Sequence, residues 1–273
     1  MNVRMLAFAK LNLNLEVLRR RDDGYHEIRS LVQTIDLADR LALSSAAEVR
    51  VVCDTVIEGT NLAERAARAV LERKRARAGV RIDLEKHIPM GAGLGGGSSD
   101  AAAVLTALDR WIPPRLGDDV LCEIGASIGA DVPLFLRGGC LELSGWGMPQ
   151  RSLTSRRETF LVVVPPVHCA TAEVYRAWVP SAVPHPSGVL GRNDLLAAAL
   201  HVHPELSAVE DALRALGGGY SGMSGSGSAF FAAFGSRAEC EAARERIARQ
   251  LKDVRVYCCS ATNTGCVEER DDA

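Results

Sequence analysis

The segment Pro89-Met-Gly-Ala-Gly-Leu-Gly-Gly-Gly-Ser-Ser99 carries five glycines between positions 91 and 97 and closes on two serines. Ahead of it Val80, Ile82 and Leu84 alternate with Arg81, Asp83 and Glu85, the pattern of a half-buried strand. Behind it an Ala-rich stretch from about Asp100 to Trp111 predicts a helix, stopped by Pro113-Pro114. Glycine lets backbone amides come close to a ligand, and a helix N-terminus adds unpaired N–H groups and the positive end of its dipole. Strand, glycine loop and helix together predict a phosphate cradle over residues 89–99, with the hydroxyls of Ser98 and Ser99 as extra donors. A plain linker capped by Ser or Asp explains the glycines but not their place between a strand and a helix.

Two familiar nucleotide loops fit less well. No lysine follows the glycines, so the loop is not a Walker A motif. Gly91, Gly93 and Gly96 do spell G-x-G-x-x-G, but the acid about 20 residues on, Asp109, falls inside the predicted helix. Lys86–Met90 also separates the strand from the first glycine, too long for the tight turn of a dinucleotide site.

Outward from the loop, Lys10 to Leu18 alternates strictly. Leu11, Leu13, Leu15 and Val17 predict the buried face of a strand, and Lys10, Asn12 and Asn14 the other face. Asparagine is a poor surface-strand residue, so that polar face reads equally as solvated or as used. Gly129-Ala-Asp131-Val-Pro133 sets one acid in an apolar stretch, either as a helix cap or as a proton acceptor. Gly24-Tyr25-His26 is a turn offering an aromatic plate and an imidazole, and Met223-Ser-Gly-Ser-Gly-Ser-Ala229 is a second glycine loop, a plain hairpin connection or a wall of the site.

The remaining pattern sets the fold class. Strands are expected over Ile28–Ile35, Leu41–Leu43 and Val49–Cys53, and a helix from Asn61 to about Gly79. The polar stretch Arg151–Glu158 suggests a boundary near Gln150, dividing the chain into residues 1–150 and 151–273. The second part reads strand (Phe160–Val164), helices including Pro204–Leu216, two strands, a helix capped by Ser236, and a last strand (Val254–Cys259), a split βαβ order. With several strands before the first helix, the whole is α+β.

Composition narrows the function. The chain has 273 residues, 47% apolar and 24% charged, with a formal net charge of −2, which excludes a disordered or fibrous chain and gives no footprint for nucleic acid. No apolar run approaches the ~20 residues of a membrane span. The N-terminus shows no signal-peptide core, and eight cysteines without a C-x-x-C pair read as reduced thiols, so a cytoplasmic protein without zinc is expected.

These motifs together resemble the GHMP small-molecule kinases, such as galactokinase, homoserine kinase and mevalonate kinase. Ala9-Lys10-Leu-Asn12-Leu, Asp23-Gly24-Tyr25-His26 and Gly129-Ala-Asp131-Val-Pro133 narrow the resemblance to members that phosphorylate a cytidine-diphosphate-linked alcohol of isoprenoid precursor synthesis, and Met223-Ser-Gly-Ser-Gly extends it over nearly the whole chain. The resemblance implies a two-domain fold with ATP and substrate in the cleft, ATP held by Pro89, Met90, Gly91, Ala92, Gly93, Leu94, Gly95, Gly96, Gly97, Ser98 and Ser99, and Mg²⁺ as cofactor. It implies Lys10 and Asp131 as the catalytic pair, Asn12 beside them, Tyr25 and Tyr175 as plates for cytosine, His26 at the base edge and Thr171 at the substrate phosphates. The chain departs from the pattern where the family often has Gly-x-Gly-Glu and this sequence has Gly145-Trp146-Gly147-Met148. A related kinase for another alcohol, and a nucleotide-binding module without activity, are the alternatives; metal ligands and oligomeric state are not legible.

Overall fold

The computed structural model describes residues 2–22, 24–57, 59–181 and 186–269. Asp23, quoted above with the Tyr-His turn, lies outside them. The first half contains β1 (Asn2–Asn12), β2 (Glu16–Arg20), β3 (His26–Ala46), β4 (Arg50–Cys53), α1 (Leu62–Arg73), β5 (Gly79–Glu85), α2 (Gly96–Trp111), α3 (Asp118–Ile128), α4 (Val132–Arg137), β6 (Cys140–Gly145) and β7 (Met148–Leu153). The second contains β8 (Thr159–Val164), α5 (Thr171–Ala177), α6 (Leu196–Val202), α7 (Ser207–Arg214), β9 (Tyr220–Met223), β10 (Phe230–Phe234), α8 (Arg237–Gln250) and β11 (Arg255–Ser260), and β12 (Cys266–Glu269) returns to the first.

Strand β3 is the spine of an eight-stranded sheet. Its path is β12-β1-β3-β5-β4, and β2 and β6 pair with the N-terminal half of β3 while β7 extends β6. The second sheet runs β11-β8-β10-β9, entirely antiparallel, which is the split βαβ arrangement with its helices on one face. The fold is α+β, as the order of elements predicts.

Several boundaries differ from the sequence pattern. Ile28–Ile35 and Leu41–Leu43 are one continuous 21-residue strand, because β2 and β6 pair with its start, β1 with its middle and β5 with its end. The Lys10–Leu18 alternation is not one strand: the chain leaves β1 after Asn12, and Leu13 and Leu15 bond instead to Leu31, Gly191 and Arg192 before β2 begins. Gln150 lies within β7, at the register shift between the pairs Glu142↔Arg151 and Leu143↔Pro149, and the irregular segment follows Leu153. The Pro204–Leu216 helix begins with a 3₁₀ turn over Pro204–Leu206, and α7 ends at Arg214. The glycine-loop helix starts at Gly96 rather than at Asp100, since Gly95, at φ +75°, supplies the left-handed turn before it.

Three apolar clusters hold these layers. One lies between the large sheet and α1–α4, and a second between the small sheet and its helices. The third joins the two halves: Ala9, Leu11, Leu13, Ile35 and the loop residues Ile88, Ala92 and Leu94 pack on Phe160, Val162, Val164 and Phe231. Strand β8 is therefore buried on both faces, which is why Phe160–Val164 is a solid apolar run and not an alternating one. Apolar packing of this kind fixes the halves relative to each other, so the crevice between them is set by the core.

Candidate active site

The glycine loop leaves β5 through a buried ionic anchor. Lys86 Nζ contacts Asp39 of β3 and lies 2.7 Å from Asp100 Oδ2 of α2. The other oxygen of Asp39 accepts from the N–H groups of His87 (2.6 Å) and Ile88 (2.7 Å), fastening the start of the loop. Burial, opposed by Lys86 and reinforced by Asp39, pushes the Asp100 carboxyl up to about 7.

Within the loop Leu94 O accepts from Lys10 N (3.0 Å) and Ala92 O from Ala229 N (3.1 Å). These bonds lash the loop to β1 on one side and to the second glycine loop on the other. Ser99 corrects one expectation: it is fully buried, its hydroxyl donates to Phe8 O (2.7 Å), and its N–H bonds to Gly95 O (3.0 Å). Neither group of Ser99 is left for a phosphate, so Ser98, half-buried, is the serine hydroxyl at the mouth. Ala92 and Leu94 likewise turn their side chains into the core and contribute backbone only.

The polar face of β1 is used. Lys10 and Asn12 are both 5% exposed, and Lys10 Nζ donates to Asn12 Oδ1. Asn12 Nδ2 donates onward to Ser30 Oγ (2.8 Å), which orients the amide. Asn14 is spent on the N–H of Leu31 (2.6 Å) and is structural. Burial pulls the Lys10 ammonium below the usual lysine range, with the charge of Asp131 opposing it. Asp131 stands at the N-cap position of α4 yet makes no side-chain capping bond. The capping bond is therefore absent, and a half-buried carboxylate lies within the field of Lys10.

The second glycine loop is a wall of the site. Ser224 Oγ donates to Gly93 O (3.0 Å) and accepts from Asn12 N (3.1 Å), tying both loops to β1. Buried Asn193 holds its shape by donating to the carbonyls of Met223 (2.8 Å) and Gly225 (2.7 Å). A Cβ on Gly225 would sit 3.4 Å from Lys10 Nζ, so the loop passes directly over the lysine.

On the other side of Asp131 the predicted base readers meet in part. The rings of His26 and Tyr175 lie 5.0 Å apart, and Trp178 stands edge-on to His26 at 5.4 Å. Burial, then the charge of Asp131, pushes the Tyr175 phenol up to about 12, so it stays protonated. Burial and Arg20 lower the His26 imidazole, which favours its neutral form. Tyr25 is 73% exposed and not part of that stack. Thr171, exposed at the start of α5, shares a hydrogen bond with Ser226 of the second glycine loop (3.0 Å). Gly147 is beside the acid, its Cβ position 4.0 Å from Asp131 Oδ1, and Trp146 next to it is stacked under the Arg21 guanidinium at 4.8 Å.

Sequence reasoning missed Ser224, Asn193, Trp178 and the Asp39–Lys86–Asp100 anchor. Lys86, a lone basic residue where the strand ends and the glycine loop begins, is the one local hint of the anchor; Ser224 stands in the second glycine loop without a mark of its own, and nothing local marks Asn193 or Trp178.

The arrangement brings together a glycine loop at a helix N-terminus, a buried ammonium and a carboxylate without a capping bond, groups of the kind that can move a phosphoryl group to an alcohol. The family comparisons agree with it. Residues 61–139 match the N-terminal domain of GHMP kinases and residues 189–253 their C-terminal domain. A 4-diphosphocytidyl-2-C-methyl-D-erythritol kinase of Ectopseudomonas mendocina is 39% identical over 89% of this chain and 85% of its own length. That of Citrifermentans bemidjiense is 36% identical over 96% and 99%. A crystal structure of a 4-(cytidine 5'-diphospho)-2C-methyl-D-erythritol kinase superposes with a TM-score of 0.82 at 37% identity, covering 94% of this chain and 99% of that one. A homoserine kinase from Cytophaga hutchinsonii (TM-score 0.74, 17% identity, 98% and 97% covered) shares the fold. The chain is thus an ATP-dependent small-molecule kinase of the GHMP class. Within that class it belongs to the 4-diphosphocytidyl-2-C-methyl-D-erythritol kinase family.

Proposed function

We propose that this kinase transfers the γ-phosphoryl group of ATP to the 2-hydroxyl of 4-diphosphocytidyl-2-C-methyl-D-erythritol, with Lys10 and Asp131 as its catalytic pair. The observation that carries the reading is the confrontation of these two side chains: a buried ammonium held by Asn12 and a carboxylate without a capping bond, at the mouth of a glycine loop.

The amides of the loop and the N-terminus of α2 would hold the β- and γ-phosphates, with the Ser98 hydroxyl as a further donor. Asp131 would take the proton of the alcohol as the new O–P bond forms. Lys10, kept in place by Asn12 and the carboxylate, would steady the developing alkoxide. His26 and Tyr175 support the base end of the substrate, a neutral imidazole and an aromatic face in contact. Thr171, which shares a hydrogen bond with Ser226, would meet the substrate diphosphate.

Mg²⁺ takes oxygen donors and keeps several waters. The crevice offers a carboxylate and hydroxyls, so the donor chemistry fits, and the phosphates of ATP would carry the ion without a dedicated protein ligand. The ion supplies neutralisation of phosphate charge. Eight unpaired cysteines support a reducing, cytoplasmic setting, and among the described residues no helix is long and apolar enough to cross a membrane.

The test is a panel of alcohols offered with ATP and Mg²⁺ and read by phosphorus NMR. Phosphorylation of the cytidine-bearing alcohol in preference to bare methylerythritol 4-phosphate, homoserine or mevalonate is the expected result. Equal use of the bare alcohol would replace this reading with that of another GHMP kinase.

A further inference from the structure

Beneath the phosphate loop lies a charge cluster that the reaction itself does not use. Asp39, Lys86 and Asp100 are 0%, 4% and 2% exposed at their side chains, and Lys86 Nζ contacts both acids. The three come from different elements: β3, the end of β5 and the first turns of α2. Asp39 closes the near end of the loop through the His87 and Ile88 amides, and a Cβ on Gly96 would already be 3.3 Å from Asp39 Oδ2, so the acid touches the loop's far end too. Asp54 accepts the N–H of Lys86 (3.0 Å), which pins the lysine backbone as well as its head. One oxygen is left over: Asp100 Oδ1 is buried and has no hydrogen-bond partner.

We propose that Asp39, Lys86 and Asp100 are positioning residues that set the nucleotide affinity of the phosphate loop. Asp39 and Lys86 act by fastening both of its ends, and Asp100 by the charge it places beneath the helix N-terminus. The proposal rests on residues 89–99 being the phosphate cradle. Above about pH 7, the value to which burial pushes the Asp100 carboxyl, two carboxylates against one ammonium leave one negative charge in excess. Asp100 is four residues into α2, about 6 Å along its axis from the first helical residue, where the dipole attracts the phosphates. A fixed negative charge there opposes that attraction and favours release of ADP, while the lysine keeps the opposition from being doubled.

The sign of the effect separates this role from a purely structural one. A structural anchor loses affinity whichever member is removed. Here Asp100→Asn is expected to tighten ADP binding and lower the KM for ATP by about threefold to tenfold, the size of a screened charge effect at this range. Lys86→Met, which leaves two acids unopposed, should weaken both by at least as much, and Lys86→Arg should restore most of the loss. The KM for the alcohol should stay put in all three. Calorimetric titration with ADP at about pH 8, above the value of about 7 to which the Asp100 carboxyl is pushed, with melting temperatures alongside, reads these outcomes. If Lys86→Met does not fold, Asp100→Asn and Lys86→Arg decide. ADP affinity unchanged or weakened in folded Asp100→Asn overturns the proposal while leaving the cradle intact. Wild-type protein that binds no ADP overturns the cradle and this inference with it.

Discussion

Gly93 and Ser224 meet backbone to backbone: a Cβ added to Gly93 would lie 2.2 Å from the carbonyl oxygen of Ser224, and the hydroxyl of that same serine donates to Gly93 O at 3.0 Å. The two glycine loops are therefore one structure, closed over Lys10, and a side chain at the seam must push them apart.

Gly93→Ala should accordingly damage both fold and function. Its φ of +75° costs an L-residue roughly 1–2 kcal/mol before the clash is counted. Gly97→Ala is the control, because its Cβ meets only Leu62 Cδ1 at 3.7 Å. Calorimetric ATP titration of both, with melting temperatures, should show a destabilised, weakly binding Gly93 variant. The Gly97 variant should keep its melting temperature, so that any loss of ATP affinity there reports contact with the nucleotide.

Asp131→Asn should retain ATP binding and lose turnover by ~10²–10⁴, the usual worth of a general base. Lys10→Ala should fall by a similar factor, and the double variant should be little worse than either, since groups that act as a unit are not additive. Turnover near wild type in Asp131→Asn would return the acid to a scaffold role.

The Lys10 ammonium should titrate below the ordinary lysine value of 10.5 because it is buried, and Asp131→Asn should move it lower still by removing the charge that supports it. The sign for stability follows. Between the depressed folded value and 10.5 the unfolded chain binds the Lys10 proton more tightly, so this group's contribution rises with pH across that window. Lysine side-chain NMR of both proteins checks the order; an upward shift in the Asn variant would contradict it.

Tyr175→Ala should raise the KM for the cytidine-bearing alcohol about tenfold, since stacking on a base contributes ~1–3 kcal/mol. The KM for ATP should not move. Tyr25, 73% exposed and outside the His26–Tyr175 contact, should matter less, with a smaller rise in that KM on Tyr25→Ala. Trp178→Ala should act through His26, relaxing discrimination between cytosine and uracil substrates more than it lowers turnover.

What the residues disclose in advance depends on how locally they are encoded. The glycine loop announces itself because its strand, its glycines and its helix are contiguous, and β8 because burial on both faces leaves an unbroken apolar run. Lys10 and Asn12 stand out as polar residues on a face that alternation cannot call wet or dry; the second glycine loop lying against them, through Gly225 and Ser224, is what decides. The Lys86 cluster was illegible, since its partners lie 47 and 14 positions away and each is an ordinary charged residue in its own segment. Ser99 was misjudged for a related reason: a hydroxyl at a helix start can serve a ligand or a neighbouring carbonyl, and Phe8 O claims it across 91 positions of sequence.

Strand β12 has a consequence for the order in which the enzyme comes into being. It pairs with β1 from Arg4↔Glu269 to Ala7↔Cys266, so the first strand made waits for the last. Just before it, Gly265 is wedged where a side chain would strike Phe135 O, at 2.0 Å, in the short helix that follows Asp131. An emerging chain can pair β1 with β3 early, but the first glycine loop gains its bonds to Ser224 and Ala229 only when the second half is made, and the outer edge of β1 and the rear of that helix stay bare until residues 265–269 arrive. Such distant pairings are slow to close. The helix that carries Asp131, the acid we propose as proton acceptor, is thus seated last, after the strands and the helix that flank the first glycine loop have been made.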